Sequence, residues 1–436
     1  MGNNMVDIIQ KKKDGEALSP EEIRFFVEGY TAGDIPDYQA SALLMAICFR
    51  GMDRQETFLL TEAMRLSGDM ADLSAIKGVK VDKHSTGGVG DKTTLIAGPL
   101  AAACGVPVAK MSGRGLGFTG GTVDKLEAIP GFRTTLEARE FVELVNRRGI
   151  SLIGQTAHIA PADKKLYALR DVTATVMEPS LIAASIMSKK LASGSDAIVL
   201  DVKCGRGSFN ATEKDAERLA LLLRDLGQDG GKRTMALVTD MEQPLGRAVG
   251  NSLEVIEAIE TLKGRGPEDI TELSLVLAGY MVYAGGRGET PEEGRRRAEE
   301  ALRSGAGLEK LGQLIEGQGG DPGVLEDYSL FPRPVCKAEA RAEKKGFVQG
   351  IDARAAGAAS QHAGAGRKAK GDAIDLAAGL LLGAKTGEPV EKGDLLVTAW
   401  AATEEKAEEA AAKGAAAYVI GPEPPVLRPL VHSVVL

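Results

Sequence analysis

The apolar positions of this chain change rhythm twice. Over residues 1–70 they recur at helical spacing. Ser19-Pro20-Glu21-Glu22 reads as a capping box with proline at the first helical position, and Ile23, Phe26, Val27 and Tyr30 follow on one face. Ala40, Leu43, Leu44 and Ile47 repeat the stripe up to Gly51. Asp53 to Glu56 then caps a third helix carrying Leu60, Ala63 and Met64. From Val79 the pattern becomes short β-branched runs separated by helical stretches: Val79–Asp82, Val106–Met111, Ile150–Ile153, Ala197–Val202 and Thr234–Thr239. That alternation predicts a mostly parallel sheet covered by helices. A helical insertion, Pro161 to Gly194, separates the third and fourth strands, and its most economical course is back to the N-terminal bundle. Helical patterns fill Asn251 to Leu314. Beyond Phe331-Pro332-Arg333-Pro334 the texture changes again. Strand-like pieces at Lys345–Ile351, Leu395–Trp400 and Ala417–Ile420 surround an Ala/Gly-rich middle with a predicted helix at Asp372–Leu382. Val390–Val397 reads as a turn between strands of a small sandwich, and Ala355–Gly371 as part of this region or as a flexible linker.

The expected fold is α/β: a helical domain, a mostly parallel α/β sheet domain and a small C-terminal α+β domain. The expected division is 1–70 with 161–194, 78–156 with 195–330, and 335–436. A length of 436 residues suits such a division. The net charge of -8 argues against a nucleic-acid polymer or an anionic membrane as partner, so any anion site must be local. Cys48, Cys104, Cys204 and Cys336 lack metal-ligand spacing and suit reduced thiols in a cytoplasmic protein, the localisation expected here. No secretory leader pattern and no membrane-length apolar run stands out.

Most of the chemistry lies between Val79 and Phe132. Two β-branched runs each lead to a lysine, Lys83 and Lys110, then open into loops dense in Gly, Ser and Thr ahead of a helix. Glycine lets backbone N–H groups turn towards a ligand, and helix N-termini favour anions. The doubled device predicts a site for a phosphate-sized anion. Lys83 offers a point charge, and Ser85, Thr94, Ser112 and Thr122 offer neutral donors. Helix capping is the competing reading for Thr94 and Thr122. His84, inside the first loop motif, is the side-chain type that titrates near neutrality unperturbed. In the insertion, Ser185 and Lys189 stand four apart, on one helix face. Gly115 to Gly120 spells G-x-G-x-x-G, but Leu136–Val142 reads as helix, so no ribose-binding strand end follows and a dinucleotide site is not supported.

The run from Val79 to Phe132 resembles the thymidine phosphorylase and pyrimidine-nucleoside phosphorylase family. So do GQT at Gly154–Thr156, PADKKLYALRDVTATV from Pro161, SLIAASIMSKKLASGSDAIVLDVK from Ser180 and MEQPLGRAVGNSLEV from Met241. The resemblance implies phosphorolysis of uridine, deoxyuridine and thymidine by inorganic phosphate, giving free base and α-pentose 1-phosphate. It implies phosphate contacts at Lys83, Ser85, Thr94, Lys110, Ser112 and Thr122. Base contacts fall at His84, Arg170, Ser185 and Lys189, with His84, Arg170 and Lys189 as the catalytic residues. A homodimer through the N-terminal helices is implied too, and the stripe Phe26, Leu43, Leu44 and Ile47 is expected to stay partly uncovered for it. Phosphate and base ligands fall on different parts of the chain, so the cleft between them should close about hinges at Ser67–Lys77, Ala157–Asp163 and Ser193–Asp196.

Two positions depart from the family pattern. Phe118 stands where a histidine is usual. Lys92 stands where some members have a hydroxyl that helps hold a monovalent cation with Gly90, Leu245, Ala248 and Glu257. Bound potassium, and a Lys92 ammonium in its place paired with Glu257, are both open on these residues; no organic cofactor is expected. Rival readings are a strict thymidine phosphorylase, an anthranilate phosphoribosyltransferase-like enzyme needing pyrophosphate and divalent-metal sites, and a non-catalytic nucleoside-binding protein.

Overall fold

In the computed structural model, which describes residues 4–115, 117–156, 158–367 and 371–436, the N-terminal periodicity becomes four helices. They are α1 (Met5–Lys13), α2 (Pro20–Ala32), α3 (Asp37–Arg50) and α4 (Arg54–Arg65). Both capping boxes form, Ser19 with Glu22 and Asp53 with Glu56. The chain then enters the α/β region with β1 (Val81–Ser85), α5 (Thr93–Ala103), β2 (Val108–Ser112), α6 (Thr122–Leu126), α7 (Ala138–Arg148) and β3 (Ile150–Gly154). The insertion gives α8 (Pro161–Val172) and α9 (Pro179–Ala192), which pack back on the first four helices. This covers the N-terminal stripe. Phe26, Leu43, Leu44 and Ile47 lie in the chain's own core, at most 3% exposed, rather than on an open face. What stays open is a different face of α3, with Tyr38, Met45 and Phe49.

After α9 come β4 (Ala197–Cys204), α10 (Glu213–Asp229), β5 (Arg233–Asp240) and β6 (Ala248–Gly250), followed by α11 (Asn251–Leu262), α12 (Glu268–Ala284), α13 (Pro291–Arg303) and α14 (Ala306–Gly317). β1, β4 and β5 run parallel side by side, and β2 pairs parallel with β3 in a separate ribbon. The ribbon joins β1 where the Val81 N–H donates to the Pro107 carbonyl at 3.0 Å. Every strand predicted here exists, and β1 runs on past its apolar residues to carry Lys83, His84 and Ser85 at its C-terminal end. The sheet therefore ends in polar residues where ligands of open α/β sheets bind.

The C-terminal part contains β7 (Cys336–Arg341), β8 (Gly346–Ile351), α15 (Ala353–Ala363), β9 (Gly379–Leu382), β10 (Pro389–Val390), β11 (Leu395–Ala401), α16 (Glu404–Ala416), β12 (Tyr418–Gly421) and β13 (Val431–Val435). The helix expected at Asp372–Leu382 is absent: Gly379 to Leu382 is a strand between β6 and β11. A short apolar run does not distinguish helix from strand. Here Gly379, at φ +154° and close against Gly250, fits only the strand pairing. The helix lies earlier, in the Ala-rich residues Ala353–Ala363, where the Asp352 carboxylate accepts from the Ala355 N–H at 2.9 Å. Lys368 to Lys370, within the stretch that also read as a linker, lie outside the described residues. Two strands cross between the units. β6 pairs with β9 in the C-terminal sheet, and β13 pairs antiparallel with β5 at the edge of the main sheet.

Candidate active site

Successive side chains on a strand point to opposite sides, and on β1 this divides the site in two. Lys83 and Ser85 face the start of α5; Asp82 and His84 face α9. On the first side the buried Lys83 Nζ lies 2.5 Å from Thr93 Oγ1, 3.2 Å from Asp201 Oδ2 and 4.0 Å from Asp91 Oδ1. Asp201 also pairs with Lys203 at 2.8 Å. Burial works against ionising Asp91, yet Lys83, Lys203 and Lys125 hold its carboxyl well below the usual carboxylate range. Asp91 accepts from the Thr93 N–H at 3.2 Å and from its hydroxyl at 2.6 Å, fixing the first turn of α5.

Neither threonine expected at the phosphate caps a helix. Thr94 lies inside the first turn of α5 and Thr122 opens α6, and no side-chain cap forms at either helix. The hydroxyls of Thr94, Ser112 and Thr122 make no hydrogen bond to another described residue, so all three are available to a ligand. Lys125 staples the two glycine loops together, donating to the Asp91 carbonyl at 2.6 Å and pairing with Glu254 at 2.9 Å. Gly90 (φ +72°) must be glycine, because a Cβ would sit 2.5 Å from the Leu245 carbonyl oxygen.

On the other side of β1, Asp82 bridges Lys110 Nζ at 3.2 Å and Lys190 Nζ at 2.8 Å, and Lys190 also donates to the Met111 carbonyl at 3.0 Å. Lys110, expected at the phosphate, is thus clamped on the His84 side. Burial pushes its ammonium down to about 7, with Lys190 and Lys83 adding to the effect and Asp82 opposing it. Burial, then Lys190, Lys110, Lys83 and Lys189, push His84 well below its usual value, so its imidazole is neutral at pH 7. Next to Lys190 on α9, Lys189 Nζ reaches Asp163 Oδ2 at 2.5 Å and Ser185 Oγ at 3.1 Å, so the predicted one-turn pair does meet. Arg170 is buried beside this helix. It donates to the carbonyls of Thr175 (3.2 Å), Leu181 (3.1 Å) and Val176 (2.7 Å), three of its five N–H groups.

Three family models cover this architecture in order. A helical bundle domain of a glycosyl transferase family matches residues 6–68, its a/b domain residues 77–308, and a pyrimidine nucleoside phosphorylase C-terminal domain residues 347–421. A pyrimidine-nucleoside phosphorylase from Geobacillus stearothermophilus is 56% identical over 92% of this chain and 93% of its own. One from Staphylococcus haemolyticus is 55% identical over 90% and 91%. The chain belongs to the pyrimidine-nucleoside phosphorylase family. A solved anthranilate phosphoribosyltransferase from Thermus thermophilus shares the fold, with a TM-score of 0.59 at 21% identity over 72% of this chain and 99% of its own.

Several residues that the fold gathers around the candidate side chains were not singled out from sequence: Asp82, Asp91, Asp163, Lys190, Asp201 and Lys203. A signal exists in the strand-end wording V-D-K and L-D-V-K, where acids alternate with lysines at the ends of adjacent parallel strands. Four buried lysines (83, 110, 190 and 203) face three aspartates (82, 91 and 201), which leaves a positive surplus in a chain of net charge -8. Phe118, at the usual histidine position, packs on Phe209 with ring centroids 6.3 Å apart and lies under the Arg354 guanidinium at 5.0 Å. The residues expected to hold a monovalent cation come together at the start of α5. Lys92 Nζ donates to the carbonyls of Leu245 (2.9 Å) and Ala248 (3.0 Å) and to Glu257, while the Gly90 carbonyl accepts from the Lys92 backbone N–H at 3.0 Å. Ala157, in one expected hinge, lies outside the described residues.

Proposed function

We propose that this protein cleaves pyrimidine nucleosides, uridine as well as deoxyuridine and thymidine, with inorganic phosphate. The observation that carries the reading is the two-sided end of β1. One side offers Lys83 and Ser85 with the free hydroxyls of Thr94, Ser112 and Thr122, a set that attracts a dianion without immobilising its attacking oxygen. The other side offers His84 beside the helix bearing Ser185 and Lys189, donors for the carbonyl oxygens of a departing pyrimidine. The positive surplus suits binding of a phosphate dianion, and the names of the relatives support the same chemistry. Phosphate attacks the anomeric carbon opposite the base, the C–N bond breaks, and the electron pair leaves with the pyrimidine, which Lys189, Arg170 and neutral His84 stabilise by hydrogen bonds. The sugar product is the α-1-phosphate.

We place the reaction in cytoplasmic nucleoside salvage, carried out by a homodimer that covers Tyr38, Met45 and Phe49 of α3. Steady-state kinetics with uridine, deoxyuridine and thymidine, each with and without phosphate, tests the reading. Phosphate-dependent release of uracil from uridine is expected. A preference of roughly a thousandfold for the deoxy substrates would make the enzyme a strict thymidine phosphorylase, and base release independent of phosphate would overturn phosphorolysis.

A further inference from the structure

The turn from Pro244 to Ala248 is held by two buried ammonium groups. Lys385 Nζ donates to the carbonyls of Pro244 and Gly246, the latter at 2.8 Å, and pairs with Asp269 at 3.0 Å. Lys92 Nζ takes the Leu245 and Ala248 carbonyls and the Glu257 carboxylate. Glu257 is itself buried and accepts the N–H groups of Arg247 (2.9 Å) and Ala248 (3.1 Å). Two carbonyls and a buried carboxylate converging on one point form the oxygen cage that a monovalent metal ion would need, and here the point is occupied by Nζ. An ammonium has three donors, and all three are matched. The backbone also closes on the spot: a Cβ on Gly246 would lie 2.9 Å from Nζ and 2.2 Å from Glu257 Oε2. A second cation would have to share these oxygens with Lys92 at repulsive range and within reach of Lys385.

We propose that Lys92 is a tethered replacement for an exchangeable cation, so that this protein neither binds nor needs potassium at the pocket of Gly90, Leu245, Ala248 and Glu257. Lys92 is the residue before α5 and lies between Asp91 and Thr93, so the tether braces the first glycine loop from behind. The charge that fixes the loop is therefore always in place.

The test is thermal unfolding of the full-length protein in potassium, sodium or tetramethylammonium chloride at equal ionic strength. The unmodified protein should show the same Tm in all three. Lys92→Thr, which removes the ammonium and leaves the oxygen cage, should unfold earlier in tetramethylammonium and recover by about 5 °C in potassium. A potassium-specific rise in the Tm of the unmodified protein overturns the inference, and so does a folded Lys92→Thr protein indifferent to potassium. The unmodified protein decides the matter even where Lys92→Thr fails to accumulate. Because the readout is unfolding, a wrong assignment of the reaction leaves the result unchanged.

Discussion

His84 lies among lysines that make a second positive charge costly, and this sets its chemistry. With its protonation pushed well below the usual histidine range, first by burial and then by Lys190 and Lys110, it suits the proposed role of hydrogen-bond donor better than that of proton store. Rate against pH should therefore show no acidic limb near the ordinary histidine value. His84→Gln should retain more kcat/KM than His84→Ala. Lys110 is held by Asp82 on this same side, and burial pushes its ammonium down from the usual lysine range. The proposed roles divide the substrates between Lys83 and Lys189. Lys83→Gln should raise the phosphate KM, whereas Lys189→Ala should lower kcat/KM for the nucleoside by roughly thirty- to a thousandfold and leave phosphate saturation nearly unchanged. Steady-state kinetics with each substrate varied in turn separates these outcomes.

Helix α9 carries Ser185, Lys189 and Lys190 and belongs to two cores at once. Leu181 and Ala184 pack in the helical bundle, while Ala183, Met187 and Leu191 pack against β4, β5 and α10. Lys190 fastens the helix to both β1 and β2. Arg170 holds its approach by taking two carbonyls of the α8–α9 connection, Thr175 and Val176, and that of Leu181 in the first turn of α9, so the residue has structural work besides any contact with a base. Arg170→Ala should lower the Tm by about 5 °C or more as those buried carbonyls lose their donors, and scanning fluorimetry measures the loss. At this scale local grammar was readable where it was strong. Capping boxes, β-branched runs and the Ser185–Lys189 spacing all have short-range causes, and each element formed. Lys83 was readable from its loop, but its partner Asp201 was not, because that carboxylate arrives on a strand beyond the insertion. The region from Asp372 to Leu382 misled because its strand is specified by pairing with β6, a contact invisible from either segment alone.

Over the whole molecule, the α/β unit and the C-terminal unit exchange strands. β6 leaves the first to complete the second, and β13 returns to complete the first. This arrangement makes each unit depend on residues distant in the chain, which is why the sequence pattern alone suggested a cleaner division than exists. During synthesis, β5 leaves the ribosome long before β13 does. Until then its outer edge offers unpaired N–H and C=O groups at the border of the sheet that carries the site, the kind of edge on which chains pair with one another. An edge left open in this way is expected to invite pairing between nascent chains, and β13 closes it. A chain shortened to end before Leu430 should be made in normal amounts yet partition into the insoluble fraction. Supplying the β13 segment as a separate peptide during refolding should return part of it to solution, with light scattering as the measure.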